Sequence, residues 1–203
     1  RNIRMANLAI VGSHSTNGVA AIHSELLRTM TVQELAEQFP ERFNNKTNGV
    51  TPRRWLLLAN PALSNTITGA IGDAWITDLD QLKNLKPLAQ DKGFQDAVLK
   101  AKREAKSEFA NWLKATSGLV IDPTSIFDAH VKRIHEYKRQ LLNVLRIAVL
   151  YNRIRENPNA EMTPRTFFFA GKAAPAYRLA KLIIKLINNL AGAIDGDPLV
   201  RGR

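Results

Sequence analysis

From residue 127 onward the sequence alternates between two periods, and that alternation limits the folds open to it. Residues 127–134 read as a strand and 140–154 as a helix. Residues 165–170, with three consecutive phenylalanines, read as a second strand, and 177–190 as a second helix. In this last segment Leu179, Leu182, Ile183, Leu186, Ile187 and Leu190 recur at i, i+3, i+4 spacing, so one stripe is expected to pack on a sheet. Strands and helices alternating at these lengths imply parallel strands with right-handed crossovers, the start of a doubly wound α/β domain.

Upstream, residues 3–11 form an apolar run that reads as a buried strand, ended by Gly12-Ser13-His14. Asn17-Gly18 then opens a helical pattern through Val19, Ile22, His23, Leu26 and Leu27. Thr31-Val32-Gln33-Glu34 has the form of a capping box for a short helix that Pro40 stops. Residues 44–49 make a polar loop. Thr51-Pro52 and Asn60-Pro61 each offer a cap followed by a first-turn proline, for helices over 53–59 and up to about Gly69 to Gly72. Asp80 is a candidate cap for another short turn, and residues 94–113 form a long amphipathic helix, so 50–120 is expected to be mostly helical.

A hydrophobic share of 45% with 7% aromatics suits a soluble, well-buried α/β protein. The absence of cysteine excludes disulfides, thiolate metal sites and thiol nucleophiles, and makes the cytoplasm the default compartment. Charged residues interrupt every long apolar stretch, so no membrane span is expected. A start at Arg1 and an end at Arg201-Gly202-Arg203 indicate that both termini are cuts. The net charge of +11 raises a nucleic-acid reading, yet Lys100, Lys102, Arg103, Lys106 and Lys114 alternate with Asp96, Glu104 and Glu108, the pattern of a solvated helix face.

The densest polar group is Lys132-Arg133-Ile134-His135-Glu136-Tyr137-Lys138-Arg139, where the strand over 127–134 hands over to its helix. Ligands of open parallel sheets bind beyond the carboxyl ends of the strands, and a helix start favours anions. So many cations there oppose the helix dipole unless an anion lies among them. Arg133 offers a planar fork and Lys132 and Lys138 offer point charges, a set suited to two neighbouring phosphates without a metal. A solvated basic turn would have the same composition. His14, the Thr47-Asn48-Gly49 loop and Trp55 are each ambiguous on their own. No dinucleotide fingerprint, phosphate-binding loop or zinc helix occurs, and Gly171-Lys172-Ala173-Ala174-Pro175 lacks the upstream glycines of a phosphate-binding loop.

These segments together resemble the glycogen, starch and maltodextrin phosphorylases. The resemblance is carried by Gly12-Ser13-His14 with Asn17-Gly18-Val19-Ala20, by the run from Asn45 to Trp55, by the run from Val131 to Gln140, and by Gly171-Lys172-Ala173-Ala174-Pro175. It implies an internal fragment of a two-Rossmann-domain, pyridoxal-phosphate-dependent glycosyltransferase. Residues 1–48 would end the amino-terminal domain, and 49–203 would begin the carboxy-terminal one. The implied reaction is phosphorolysis of terminal α-1,4 bonds of a glucan to α-glucose 1-phosphate with retention, the cofactor phosphate acting as proton relay.

Residue by residue, the resemblance makes Arg133 the ligand of substrate phosphate, Lys132 a partner of the cofactor phosphate and Lys138 a contact to both. Arg133 and Lys138 are thus the implied catalytic pair. Val19, Asn48 and Tyr137 would contact the sugar, and Trp55 would line the cofactor pocket. The implied partners are an α-glucan and inorganic phosphate, with no nucleic acid, membrane or metal, in a cytoplasmic and typically homodimeric enzyme. The lysine segment that would form the cofactor's Schiff base does not occur in this sequence, and Ala176 stands where relatives often have glycine. The chain alone is therefore expected to be inactive. The other readings are a basic nucleic-acid-binding module and a retaining glycosyltransferase using a nucleotide sugar.

Overall fold

A computed structural model describes residues 3–200. The expectation that Arg1 and residues 201–203 mark cut ends falls outside that range. The chain divides into two compact units, Arg1–Ala59 and Asn60–Arg203. It is mixed α/β, and each unit holds a two-stranded parallel sheet.

In the first unit, helix α1 (Met5–Val11) replaces the strand expected over residues 3–11. Short apolar runs do not distinguish a buried strand from a helix, and this one uses helical spacing: Ile10 is buried with Val32, Ala36 and Phe43 while Met5, Leu8 and Val11 are exposed. The strand comes later, as β1 (Thr16–Gly18), paired in parallel with β2 (Phe43–Asn45). Asn17-Gly18 is therefore strand, and helix α2 (Ala21–Leu26) starts three residues on. Gly18 is required by its surroundings, since a Cβ there would lie 2.2 Å from Ser24 Oγ and 2.6 Å from Ser24 Cα. A π-helical turn, Leu27–Thr31, leads to α3 (Gln33–Gln38). The capping box does not form: Val32 is the N-cap, and the Thr31 hydroxyl donates back to the Leu26 carbonyl at 3.2 Å. Burial of Val32 fixes the chain direction that the side-chain cap would otherwise set. Pro40 does end α3, starting the 3-10 turn Pro40–Arg42.

In the second unit, Asn60 and Pro61 act as expected. Asn60 Oδ1 accepts from Leu63 N at 3.1 Å, opening α4 (Pro61–Ile71), which stops at Gly72 with φ 78°. The next turn is capped by Asp78 and not by Asp80; it is a 3-10 run, Leu79–Gln90, and Asp80 pairs instead with Lys83. Helix α5 (Lys92–Ser117) begins at Asp91, whose Oδ1 accepts from Phe94 N at 2.7 Å, and ends at Gly118 with φ 74°. Its basic face is not purely solvated. Lys106 hydrogen-bonds the Ser125 carbonyl and sits 4.5 Å from the Phe127 ring centroid.

The predicted strand–helix–strand–helix order holds as β3 (Ile126–Val131), α6 (Gln140–Glu156), β4 (Arg165–Ala170) and α7 (Arg178–Asp195). β3 and β4 are parallel, in register from Ile126 opposite Arg165 to Val131 opposite Ala170. Phe109 of α5 meets Phe127 and Phe168 edge-on, at 6.2 and 5.6 Å between centroids. α7 buries part of the expected stripe: Ile183 is buried and Ile187 packs against it as expected, joined by Ala180 and Ile184, whereas Leu179, Leu182 and Leu186 are exposed. The reason is Ile134, which the strand reading placed in β3. It lies beyond the strand and is buried in one cluster with Ala180 and Ile183, which draws small Ala180 into the contact.

Trp75 is fully buried, and its indole N–H donates to Thr68 Oγ1 at 3.1 Å. Trp75→Ala is expected to destabilise the second unit by about 3–5 kcal/mol, seen as an earlier urea-unfolding transition. An unchanged midpoint would contradict this.

Candidate functional site

The basic octapeptide occupies the turn between β3 and α6, beyond the carboxyl end of β3. Parallel pairing continues past the strands: Lys132 N donates to Ala170 O at 2.9 Å, and Ile134 N donates to Lys172 O at 3.0 Å. Gly171 lies between these bonds. A Cβ on it would stand 2.0 Å from the Lys132 carbonyl oxygen and 2.8 Å from the carbonyl carbon, so the two loops pack backbone to backbone only because that position has no side chain.

After buried Ile134, the chain makes the 3-10 turn Glu136–Lys138, with Lys138 N bonded to His135 O and Arg139 N to Glu136 O. Arg139 then takes φ 61° and ψ 32°, the sole positive φ on a non-glycine among the described residues, and turns the chain into α6. Such a conformation costs an L-residue about 1–2 kcal/mol, which the surrounding bonds must offset.

Gln140 is central to those bonds. Completely buried, it donates from Nε2 to Arg133 O at 3.1 Å and accepts at Oε1 from His135 N at 3.4 Å. Across the turn, Tyr177 donates its hydroxyl proton to the Glu136 carboxylate and accepts from Glu136 N at 3.2 Å. The His135 ring lies between Tyr137 and Tyr177, with centroids 4.4 and 5.0 Å away.

These contacts determine the electrostatics. Glu136 is the one acid in the octapeptide, and it is committed to Tyr177. Among the described residues, Lys132, Arg133 and Lys138 have no carboxylate within ion-pair distance; Lys138 instead lies 5.0 Å from the Tyr137 ring centroid. Lys132 and Arg133 are exposed, Lys138 is half-buried, and Tyr137 is exposed. Three cations without a carboxylate partner on a turn held by several backbone bonds are a set that could take an anion. No group of three His, Cys, Asp or Glu side chains suited to a metal occurs among the described residues, and no helix among them is long and apolar enough to cross a membrane.

The other implied site residues belong to the first unit. Parallel pairing there also outlasts its strands, through Lys46 N to Gly18 O at 3.0 Å and Asn48 N to Val19 O at 2.9 Å. Val19 and Asn48, the implied sugar contacts, are thereby brought together. Trp55 lies in the π-helical turn Arg54–Leu58 and is 66% exposed. Sequence reasoning missed Gln140, Gly171 and the Glu136–Tyr177 pair as parts of this site. Gln140 and Gly171 were visible only as members of motifs, and the partners of the pair lie 41 residues apart.

Two outcomes follow. Gly171→Ala is expected to displace the Lys132 carbonyl and destabilise the protein by about 1–3 kcal/mol, measured as a lowered melting temperature; a neutral effect would show that the loops do not meet as described. The Tyr177 phenol is held above its ordinary value chiefly by its hydrogen bond to Glu136. A raised pKa in the folded state stabilises it fully below the unfolded value of about 10, and that stabilisation is lost as pH rises through the folded value. Tyr177→Phe should therefore lower stability by a constant amount from neutral pH up to about 10, with the gap closing at higher pH. A gap that widens above that pH would contradict the assignment.

The pattern of the carbohydrate phosphorylase family matches residues 1–203. The chain is 53% identical over 203 residues to glycogen phosphorylase of Synechocystis sp., with 100% of this chain and 24% of that protein covered. It is 51% identical to the brain form of human glycogen phosphorylase, again over 100% of this chain and 24% of the relative. Against glycogen phosphorylase of Chlamydia pneumoniae the identity is 48%, over 100% of this chain and 25% of that protein. The chain thus spans about a quarter of the length of these curated relatives. With the family pattern matched from end to end and about half of its residues identical to those of phosphorylases, the chain belongs to the carbohydrate phosphorylase family.

Proposed function

We propose that this chain is part of the catalytic region of an α-glucan phosphorylase, which cleaves the terminal α-1,4 bond of a glucan with inorganic phosphate. The C1–O bond to the departing chain breaks, C1 bonds to a phosphate oxygen with retention, and a proton passes to the departing 4-hydroxyl oxygen. The products are α-glucose 1-phosphate and a glucan one residue shorter. The observation that carries this reading is the hydrogen-bonded turn bearing Lys132, Arg133 and Lys138 with no carboxylate partner among the described residues. The glycogen phosphorylase names of the relatives supply the substrate class.

In this reading Arg133 grips the substrate phosphate through its planar fork. Lys132 holds the phosphate of pyridoxal phosphate, and Lys138 contacts both anions. Exposed or half-buried and unpaired with acids, these lysines fit a bound phosphate, and the exposed indole of Trp55 fits a flat heteroaromatic ring. When bound, the cofactor supplies a phosphate that exchanges a proton with the substrate phosphate. The chain's own contribution is fixed positive charge, which keeps two phosphates adjacent against their repulsion and is worth several kcal/mol of barrier. Tyr137, Asn48 and Val19 orient the glucosyl unit. The reading includes two Rossmann-like domains, with residues 1–48 closing the first and 49–203 opening the second, in a cytoplasmic homodimer whose Schiff-base lysine lies outside this chain.

In the full-length protein, Arg133→Ala is expected to lower glucose 1-phosphate release by about a hundredfold or more, in an assay with glucan, phosphate and pyridoxal phosphate. Near-normal turnover at every phosphate concentration would remove Arg133 from this role. Glucosyl transfer from a nucleotide sugar without glucose 1-phosphate activity would replace the reading.

A further inference from the structure

We infer that Gln140 is the positioning residue for the phosphate-gripping Arg133, acting through the backbone of the turn; this rests on the phosphorylase reading above. Gln140 is the first residue of α6 and is completely buried. A buried primary amide is costly unless both its ends are satisfied. Here both go to one short stretch of main chain, Nε2 to Arg133 O at 3.1 Å and Oε1 to His135 N at 3.4 Å. The two bonds straddle Ile134, whose own N–H is bonded to Lys172 O at 3.0 Å and whose side chain is buried against Ala180 and Ile183.

The resulting arrangement joins three elements. Lys132 and Ile134 hold the turn to the end of β4 and the loop after it, Ile134 holds it to α7, and among the described residues Gln140 ties the peptide groups on either side of Ile134 to α6. Arg133 is exposed, and among the described residues no carboxylate pairs with its guanidinium. The direction in which its side chain leaves the turn therefore depends on the Arg133–Ile134 peptide, whose carbonyl Gln140 holds. A side chain at this position needs a donor and an acceptor on one planar group with the reach of two methylenes. Gln meets that need, Glu keeps only acceptors, and Met keeps the length with neither.

The test uses the full-length holoenzyme and compares Gln140→Met, Gln140→Glu, Arg133→Ala and, as a stability control, Val144→Ala. Val144 is a buried α6 residue. Gln140→Met and Gln140→Glu are expected to lower kcat/KM for phosphate about tenfold to a hundredfold through a raised phosphate KM, with the glucan KM unchanged. Val144→Ala should lower the melting temperature and leave both KM values alone. Should Gln140→Met not yield folded holoenzyme, Gln140→Glu carries the same comparison, because it keeps the shape and the bond from His135 N while turning an oxygen toward the Arg133 carbonyl. If both Gln140 variants only lower the melting temperature, as Val144→Ala does, while Arg133→Ala still raises the phosphate KM, the positioning role is overturned and the phosphorylase reading stands. If Arg133→Ala leaves phosphate kinetics unchanged, the Arg133 assignment fails and takes the positioning role with it.

Discussion

Parallel pairing of β3 with β4 is the constraint on which the second unit depends. It brings together two segments separated by α6, and it does not stop where the strands stop. The bonds from Lys132 N to Ala170 O and from Ile134 N to Lys172 O carry it into the loops. Those loops can approach because Gly171 has no side chain to occupy the space taken by the Lys132 carbonyl. A basic octapeptide that would otherwise be a mobile surface turn is thereby held as an extension of the sheet.

Charge on that turn acquires its chemical meaning from what its one acid does. Glu136 accepts from Tyr177 of the α7 end and so does not neutralise the neighbouring cations. Free cations at the start of a helix are unfavourable in themselves. In the proposed phosphate site that cost is met during folding and not during binding. The same logic extends to Arg139, whose left-handed conformation is tolerated because the bonds around it leave the chain little alternative.

The first unit repeats the principle on a smaller scale. β1 and β2 are three residues each, yet their pairing also continues into the following residues and places Val19 beside Asn48. In both units the polar motif begins where a parallel strand pair ends, and the motif's geometry is inherited from that pair.

Much of this was legible in the sequence. The order of β3, α6, β4 and α7 followed from local periodicity, as did the caps at Asn60 and the position of the basic turn, because these depend on residues within a few positions of one another. The misread segments were those where local rules compete. Residues 3–11 had the apolar content of either a strand or a helix, Thr31 had a better partner in Leu26 O, and Asp78 stood nearer the turn start than Asp80. By itself the sequence determined the order of β3, α6, β4 and α7 and which side chains crowd the β3–α6 turn. The tertiary structure alone decided that Ile134 leaves the strand to meet Ala180, that α7 turns Ala180 and Ile184 inward while Leu182 and Leu186 stay exposed, and that Gln140, Gly171 and Tyr177 hold the turn. The physical reason is that periodicity reports a residue's neighbours along the chain, whereas burial of an amide, the absence of a Cβ and a bond across 41 residues are set by what the fold brings close in space.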